Sequence, residues 1–241
     1  MAVDFHRNAE GSVLYRAGGT VVLCTASIDA TVPTWMVGRG KGWLTADYQM
    51  HPRAGRARRE LREGRGKPLS GRTQEIQRLI GRALRSAMDL DSFGERTIVI
   101  DCDVLEADGG TRTASVTGSF VAVALALSRL VAAGQLDKPI VRDQVAAISV
   151  GHVGDELLLD LDYSEDSRAR VDLNVVATAR GAIVEVQATA EGEAVDRADI
   201  DRMIDMGLSG VMRLVGVQRQ TLAASGVDLA KLFQEGRWTA T

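Results

Sequence analysis

With 241 residues, the chain is long enough to bury a core without disulfide or metal staples. Apolar residues make up 45 % and charged residues 25 %, an ordinary globular balance, and aromatics at 4 % leave the core to Val, Leu, Ile and Ala. A net charge of −3 argues by itself against a nucleic-acid binder, and Met1 to Asn8 lacks the apolar segment of a secretion signal.

Val13-Leu14-Tyr15 and Val21 to Ala26 are short β-branched runs around Gly18-Gly19, which predicts a hairpin. Gly38 to Lys67 is rich in Gly and Arg, contains Pro52, and reads as a long loop with short ordered pieces. Ile76, Leu79, Ile80, Ala83, Leu84, Ala87 and Met88 fall on one stripe of a 3.6-residue helix, with Ser70 or Thr73 as its cap. Thr97 to Leu105 follows as a near-continuous apolar strand. Asp108-Gly109-Gly110 turns the chain into a second, mostly buried helix, from about Thr113 to Ala133.

The second half opens with a hairpin of Ala146–Val150 and Leu157–Leu161. Val171–Ala177 and Ile183–Ala188 form another, and a long helix runs from Ala198 to about Leu222. Each half reads as strands and then helices. This order predicts α+β layers, two β-then-α halves packed as one unit, and not a uniform doubly wound sheet. No apolar run approaches the ~18 residues that span a bilayer. Cys24 and Cys102 lie inside apolar runs without zinc spacing, so both are expected as buried thiols of a reducing, cytoplasmic compartment.

Four constellations carry possible chemistry, each beside a plainer reading. At Asp108-Gly109-Gly110-Thr111-Arg112-Thr113, two glycines let backbone approach a ligand. The helix start offers free N–H groups, and Arg112 offers a fork for phosphate. The plainer reading is a tight corner with a surface Arg. Arg72 beside Gly71 is a second such helix start, or a solvated Arg. Asp160, Asp162, Glu165, Asp166 and Asp172, with Asn174 on the face of Asp172, suit Mg²⁺ or general-acid work, or form a polar loop. Finally, Arg53 to Arg85 holds eleven basic and three acidic residues, a local +8 that leaves −11 elsewhere. That run is a solvated surface or a polyanion contact, and its shortage of acids favours the polyanion. His6, His51 and His152 form no nucleophile or zinc motif, and no P-loop or dinucleotide fingerprint is present.

Together these features point to phosphoryl chemistry on a nucleic acid. Ser70-Gly71-Arg72-Thr73-Gln74-Glu75-Ile76-Gln77-Arg78-Leu79-Ile80-Gly81-Arg82 and Asp101-Cys102-Asp103-Val104-Leu105-Glu106-Ala107-Asp108-Gly109-Gly110-Thr111-Arg112-Thr113-Ala114-Ser115 resemble the hallmark strings of the ribonuclease PH family. Glu165-Asp166-Ser167 through Val171-Asp172-Leu173-Asn174 is similar to its acidic segment. Ala9 to Leu14 and Val184 to Gln187 match as well, and the resemblance spans residues 5–222.

The resemblance implies one domain over residues 1–241 with the layered fold of ribosomal protein S5 domain 2. It implies a phosphate-dependent 3′→5′ exoribonuclease that trims precursor tRNA from single-stranded 3′ ends, with rRNA as a second substrate. Phosphate is the co-substrate, Mg²⁺ the cofactor, nucleotide addition the reverse reaction, and a homohexameric ring away from membranes the assembly. On this resemblance, Arg72, Gly110, Thr111 and Arg112 hold phosphate. Asp166 and Asp172 are the catalytic and metal-binding pair, with Asp172 as the acid for the leaving oxygen. Arg53, Arg58 and Arg62 hold RNA.

Members of the family usually begin about a dozen residues earlier, which bears on ring contacts and on pairing of the first strand. His51, Asp47 and Leu173 stand where Leu, Glu and Met are usual, and the arginine loop is about one residue longer. A non-catalytic RNA-binding ring subunit is the alternative, opposed by the retained Arg72, Arg112, Asp166 and Asp172.

Overall fold

The computed structural model describes residues 1–56, 59–64 and 68–234. The first sheet has the order β1-β2-β3-β5-β4, built from β1 (Ala2–Val3), β2 (Gly11–Ala17), β3 (Thr20–Asp29), β4 (Trp43–Met50) and β5 (Thr97–Glu106). β2 and β3 form the expected hairpin, and Ala2 and Val3 pair with Leu14 and Val13 at its edge. α1 (Gly71–Ser86) leads from β4 to β5. α2 (Thr111–Ala132) leads from β5 to the second sheet, of order β7-β6-β8-β9, made of β6 (Val145–Val153), β7 (Glu156–Leu159), β8 (Val171–Thr178) and β9 (Ile183–Ala190). α3 (Tyr163–Asp166) is a single turn before β8. α4 (Arg197–Ala224) and α5 (Leu229–Leu232) end the described chain.

The predicted loop over 38–67 hides a strand. In β4, Leu44, Ala46 and Tyr48 are buried while Thr45, Asp47 and Gln49 face outward. That is a period of two, masked in the sequence by the Gly and Arg around it. β4 runs parallel to β5, with Leu44 opposite Ile98 and Tyr48 opposite Cys102. A parallel pair needs a crossover, and α1 supplies it. The α+β layering thus holds with one βαβ unit inside the first half.

α2 is the central layer. Its Val116, Phe120, Val123 and Leu127 belong to one core with Val13, Val22 and Cys24 of the first sheet and Val145, Ala147 and Val176 of the second. The opposite face of the second sheet, with Ile148, Val150, Leu173 and Val175, packs on Met203, Val211 and Val215 of α4. β6 and β8 are therefore covered on both faces, which is why they read as continuous apolar runs. Each large side chain fully buried this way contributes roughly 1.5–3 kcal/mol.

α2 passes the length and hydropathy test for a membrane crossing, contrary to the expectation that no segment would, but 83 % of its apolar window is buried inside the protein. Cys24 and Cys102 sit opposite each other on β3 and β5, both buried and both free.

Candidate active site

Site residues arrive from four places: the α2 start, the α1 start, α3, and the α2-facing side of β8. α2 begins at Thr111, two residues before the expected Thr113, because Gly110 is already its cap. Gly109 and Gly110 have φ of 84° and 56°, the left-handed region that glycine enters without strain. A Cβ at Gly109 would run into the Leu161 carbonyl oxygen. Thr20 of β3 pins this turn: its hydroxyl donates to Gly109 O at 2.6 Å and accepts from Asp108 N at 2.9 Å. No side chain caps the helix start, so N–H groups there are left for a ligand. The start of α1 is built differently. Ser70 caps it, accepting from Thr73 N, and Arg72 projects from its first turn.

Arg112 is held from both halves of the molecule. Its Nη1 donates to Gln187 Oε1 on β9 at 3.0 Å and lies 3.8 Å from Glu75 Oε1 on α1. Gln187 Nε2 donates in turn to Glu75 Oε1 at 2.8 Å and Glu185 Oε1 at 3.1 Å. Arg82 of α1 completes the chain, donating to both Glu185 oxygens at 2.7 and 2.6 Å. The Arg112 fork is thus oriented before any anion arrives, which reduces the ordering cost of binding. Thr111 is fixed similarly by Tyr48 of β4, whose hydroxyl lies 2.9 Å from Thr111 Oγ1.

The acidic cluster divides. Asp166 and Asp172 face the same cavity as Arg72 and Arg112. Asp162 is spent on structure: it caps α3, taking hydrogen bonds from Glu165 N and Ser164 Oγ, and Glu165 answers by accepting from Asp162 N. Asp160, at φ 63°, lines a separate pocket of about 60 Å³ behind the glycine turn. Asp172 lies mid-sheet opposite Gly151 and Thr189, and accepts from Asn174 Nδ2 at 3.3 Å on the shared face. Burial pushes its carboxyl above the ordinary range, Asp166 adds to this, and Arg112, Asn174 and Arg72 act against it.

These groups line one open cavity of about 620 Å³, which contains all six sequence-predicted phosphate and acid residues: Arg72, Gly110, Thr111, Arg112, Asp166 and Asp172. The predicted RNA arginines fare differently. Arg58 lies outside the described residues. Among those described, Arg56 lines this cavity and Arg59 a neighbouring one of about 600 Å³, whereas Arg53 and Arg62 line neither. Arg56 sits 3.4 Å from Asp108 at the rim. Sequence reasoning assigned no role to Tyr48, Glu75 or Gln187, although Val184-Glu185-Val186-Gln187 stood out as a matching string.

Two carboxylates beside an anion site suit a hard cation such as Mg²⁺. Among the described residues no group of three or more His, Cys, Asp or Glu side chains forms a complete metal cage. Asp166 and Asp172 are the residues that could hold such an ion.

The model of the RNase PH 3′ exoribonuclease family, domain 1, matches residues 1–128, and that of domain 2 matches residues 143–210. Ribonuclease PH of Moorella thermoacetica is 54 % identical over 216 residues, covering 89 % of this chain and 85 % of that one. The crystal structure of rice (Oryza sativa) Rrp46 has a similar fold, with a TM-score of 0.73 at 16 % identity over 92 % of both chains. So does a chain of the Archaeoglobus fulgidus exosome with RNA bound to the active site, at 0.71 and 20 % identity over 89 % of this chain and 85 % of that one.

Proposed function

This chain belongs to the RNase PH family of 3′ exoribonucleases, and from that premise we propose how its cavity works. The protein is a phosphate-dependent 3′→5′ exoribonuclease of the tRNA nucleotidyltransferase type, which trims 3′ ends of precursor tRNA. One observation carries the assignment of roles: a pre-oriented Arg112 on an uncapped helix start shares one cavity with Asp166 and Asp172.

Inorganic phosphate binds at the α2 start, against the N–H groups of Thr111 and Arg112, with the Arg112 and Arg72 guanidiniums on its oxygens. It attacks the terminal phosphodiester phosphorus of RNA. The new P–O bond forms as the bond to the upstream 3′ oxygen breaks. That oxygen takes a proton from Asp172, and a nucleoside diphosphate leaves. The raised Asp172 carboxyl favours its protonated form, and the arginines stabilise the charge that builds on the transferred phosphoryl group. Asp166 and Asp172 are the residues that would hold Mg²⁺, which would supply further charge stabilisation. Run backwards, the same steps add a nucleotide to an RNA 3′ end.

In this reading residues 1–241 act as one domain, in the cytoplasm and in a homohexameric ring. The basic segment Arg53 to Arg85, including Arg53, Arg56, Arg58, Arg59 and Arg62, meets the incoming RNA strand. Each single-strand phosphate it neutralises adds about −0.7 to the slope of log affinity against log salt. With four such contacts, RNA binding should weaken about 50-fold between ~50 and ~200 mM salt. Flat affinity over that range in a filter-binding titration removes the basic segment as the RNA contact.

The deciding assay supplies a single-stranded 3′ RNA with and without phosphate and identifies the product. Nucleoside diphosphates formed only with phosphate, and lost on chelation of divalent ions, are the expected result. Monophosphates released without phosphate would replace phosphorolysis by hydrolysis. Phosphorolysis that persists under chelation would remove the metal.

A further inference from the structure

We propose that Tyr163 is the stacking platform for the nucleobase of the RNA 3′-terminal nucleotide, an inference that rests on the phosphorolytic reading of the cavity. A phosphate and a metal ion do not fill about 620 Å³, so the cavity has room for a nucleoside beside them. Its lining changes character accordingly. Arg72, Arg112, Asp166 and Asp172 suit the phosphates, while Met50, Leu161 and Tyr163 suit a flat apolar surface.

Tyr163 is 63 % exposed, so it contributes little to the core, yet it lines this cavity. It is held firmly for an exposed residue. It opens the α3 turn, whose capping box joins Asp162 and Glu165, and its carbonyl accepts from Ser167 N at 3.0 Å. Asp166 follows three residues later, so both side chains leave the same face of the turn. A base against the Tyr163 ring therefore belongs to the nucleotide whose phosphate faces Asp166.

Recognition by a ring face also fits the polar inventory. The two uncharged polar side chains of the second sheet that line the cavity, Asn174 and Ser149, already have partners. Asn174 Nδ2 donates to Asp172, and Ser149 Oγ accepts from Leu161 N at 3.1 Å. Stacking on an aromatic ring accepts any base, because every base has a π-face. The enzyme would then grip each successive terminal nucleotide without reading its sequence.

A cycle of two enzymes and two RNAs tests this. One RNA ends in an ordinary nucleotide and the other in an abasic ribose at the same position. Base stacking is worth about 5- to 150-fold by alanine substitution. Tyr163→Ala should lower kcat/KM for the ordinary RNA within that range, and wild type should lose as much on the abasic RNA. Tyr163→Ala should then lose little more on the abasic RNA, Tyr163→Phe should behave as wild type, and KM for phosphate should not move. Losses that multiply in the double change, or an ordinary RNA indifferent to Tyr163→Ala, overturn the proposal. Reading the same cycle by equilibrium binding of both RNAs needs no turnover, so failure of stacking is distinguishable from failure of phosphorolysis.

Discussion

Asp172→Asn is expected to fold normally and to lose about 10²- to 10⁴-fold in kcat for phosphorolysis, the usual worth of a positioned general acid. The amide keeps the shape of the side chain and can still contact Asn174, but it has no proton to give to the leaving 3′ oxygen. Stability should move the other way from activity. Burial and Asp166 raise the Asp172 carboxyl above its ordinary value, so the folded chain binds that proton more tightly than the unfolded chain does. The stability contributed by this group is therefore fully present below the unfolded carboxylate pKa. It is lost as pH rises through the raised folded pKa. Above that folded pKa the charge is a burden that Asn removes, and thermal melting there should show a Tm equal to or above wild type. Turnover at the wild-type level would strip Asp172 of the acid role. A lower Tm would mean that the carboxylate is favourable in the fold, against its raised pKa.

Arg112→Ala should be the second large loss, seen first against phosphate. Removing one preorganised donor from a developing oxyanion costs about 10²- to 10³-fold in rate, and charge-assisted hydrogen bonds to the ground-state anion are worth ~1.5–3 kcal/mol. We expect kcat/KM for phosphate to fall at least 100-fold, while equilibrium binding of RNA changes little, because the basic segment supplies that affinity. Arg112→Lys should rescue only part of the loss. Lysine restores the charge but cannot bond Gln187 and a phosphate together through one planar fork. Kinetics with phosphate as the varied substrate check both variants. An unchanged phosphate KM with an unchanged kcat would move the anion site elsewhere.

Most of the elements were legible in the sequence, and the six residues expected to hold phosphate and supply the acids line one cavity. The helical stripe from Ile76 to Met88, the hairpins around Gly18-Gly19 and Gly181, and the glycine turn before α2 are short-range patterns, and local patterns survive in one dimension. β4 did not survive in this way. Its alternation of Leu44, Ala46 and Tyr48 with polar residues is brief and lies between a glycine cluster and an arginine run, and its parallel partner β5 comes only after α1. The arginine run is hard to place in one dimension for a similar reason. Arg56 and Arg59, not Arg53 and Arg62, line the cavities, because a loop without period carries no register.

By itself, then, the sequence determined that this chain is layered α+β and that two helix starts carry arginines, while the family resemblance singled out Asp166 and Asp172 from five nearby acids. The elements and helix starts rest on residues close together in the chain, where spacing constrains geometry. Tertiary structure decided which acids share a cavity with Arg72 and Arg112. Asp162 turned out to be a helix cap and Asp160 to lie behind the turn, although both are neighbours of Asp166 in sequence. It also decided how the site is aimed. Gln187 reaches Arg112 across 75 residues and Glu75 across 112, and Tyr48 reaches Thr111 across 63. These contacts exist only because β9 and α1 converge beside the start of α2, and because β4 lies against β5 in the first sheet. Hydrogen bonds between such distant residues follow from sheet pairing and core packing, which leave no fixed spacing in the sequence to read.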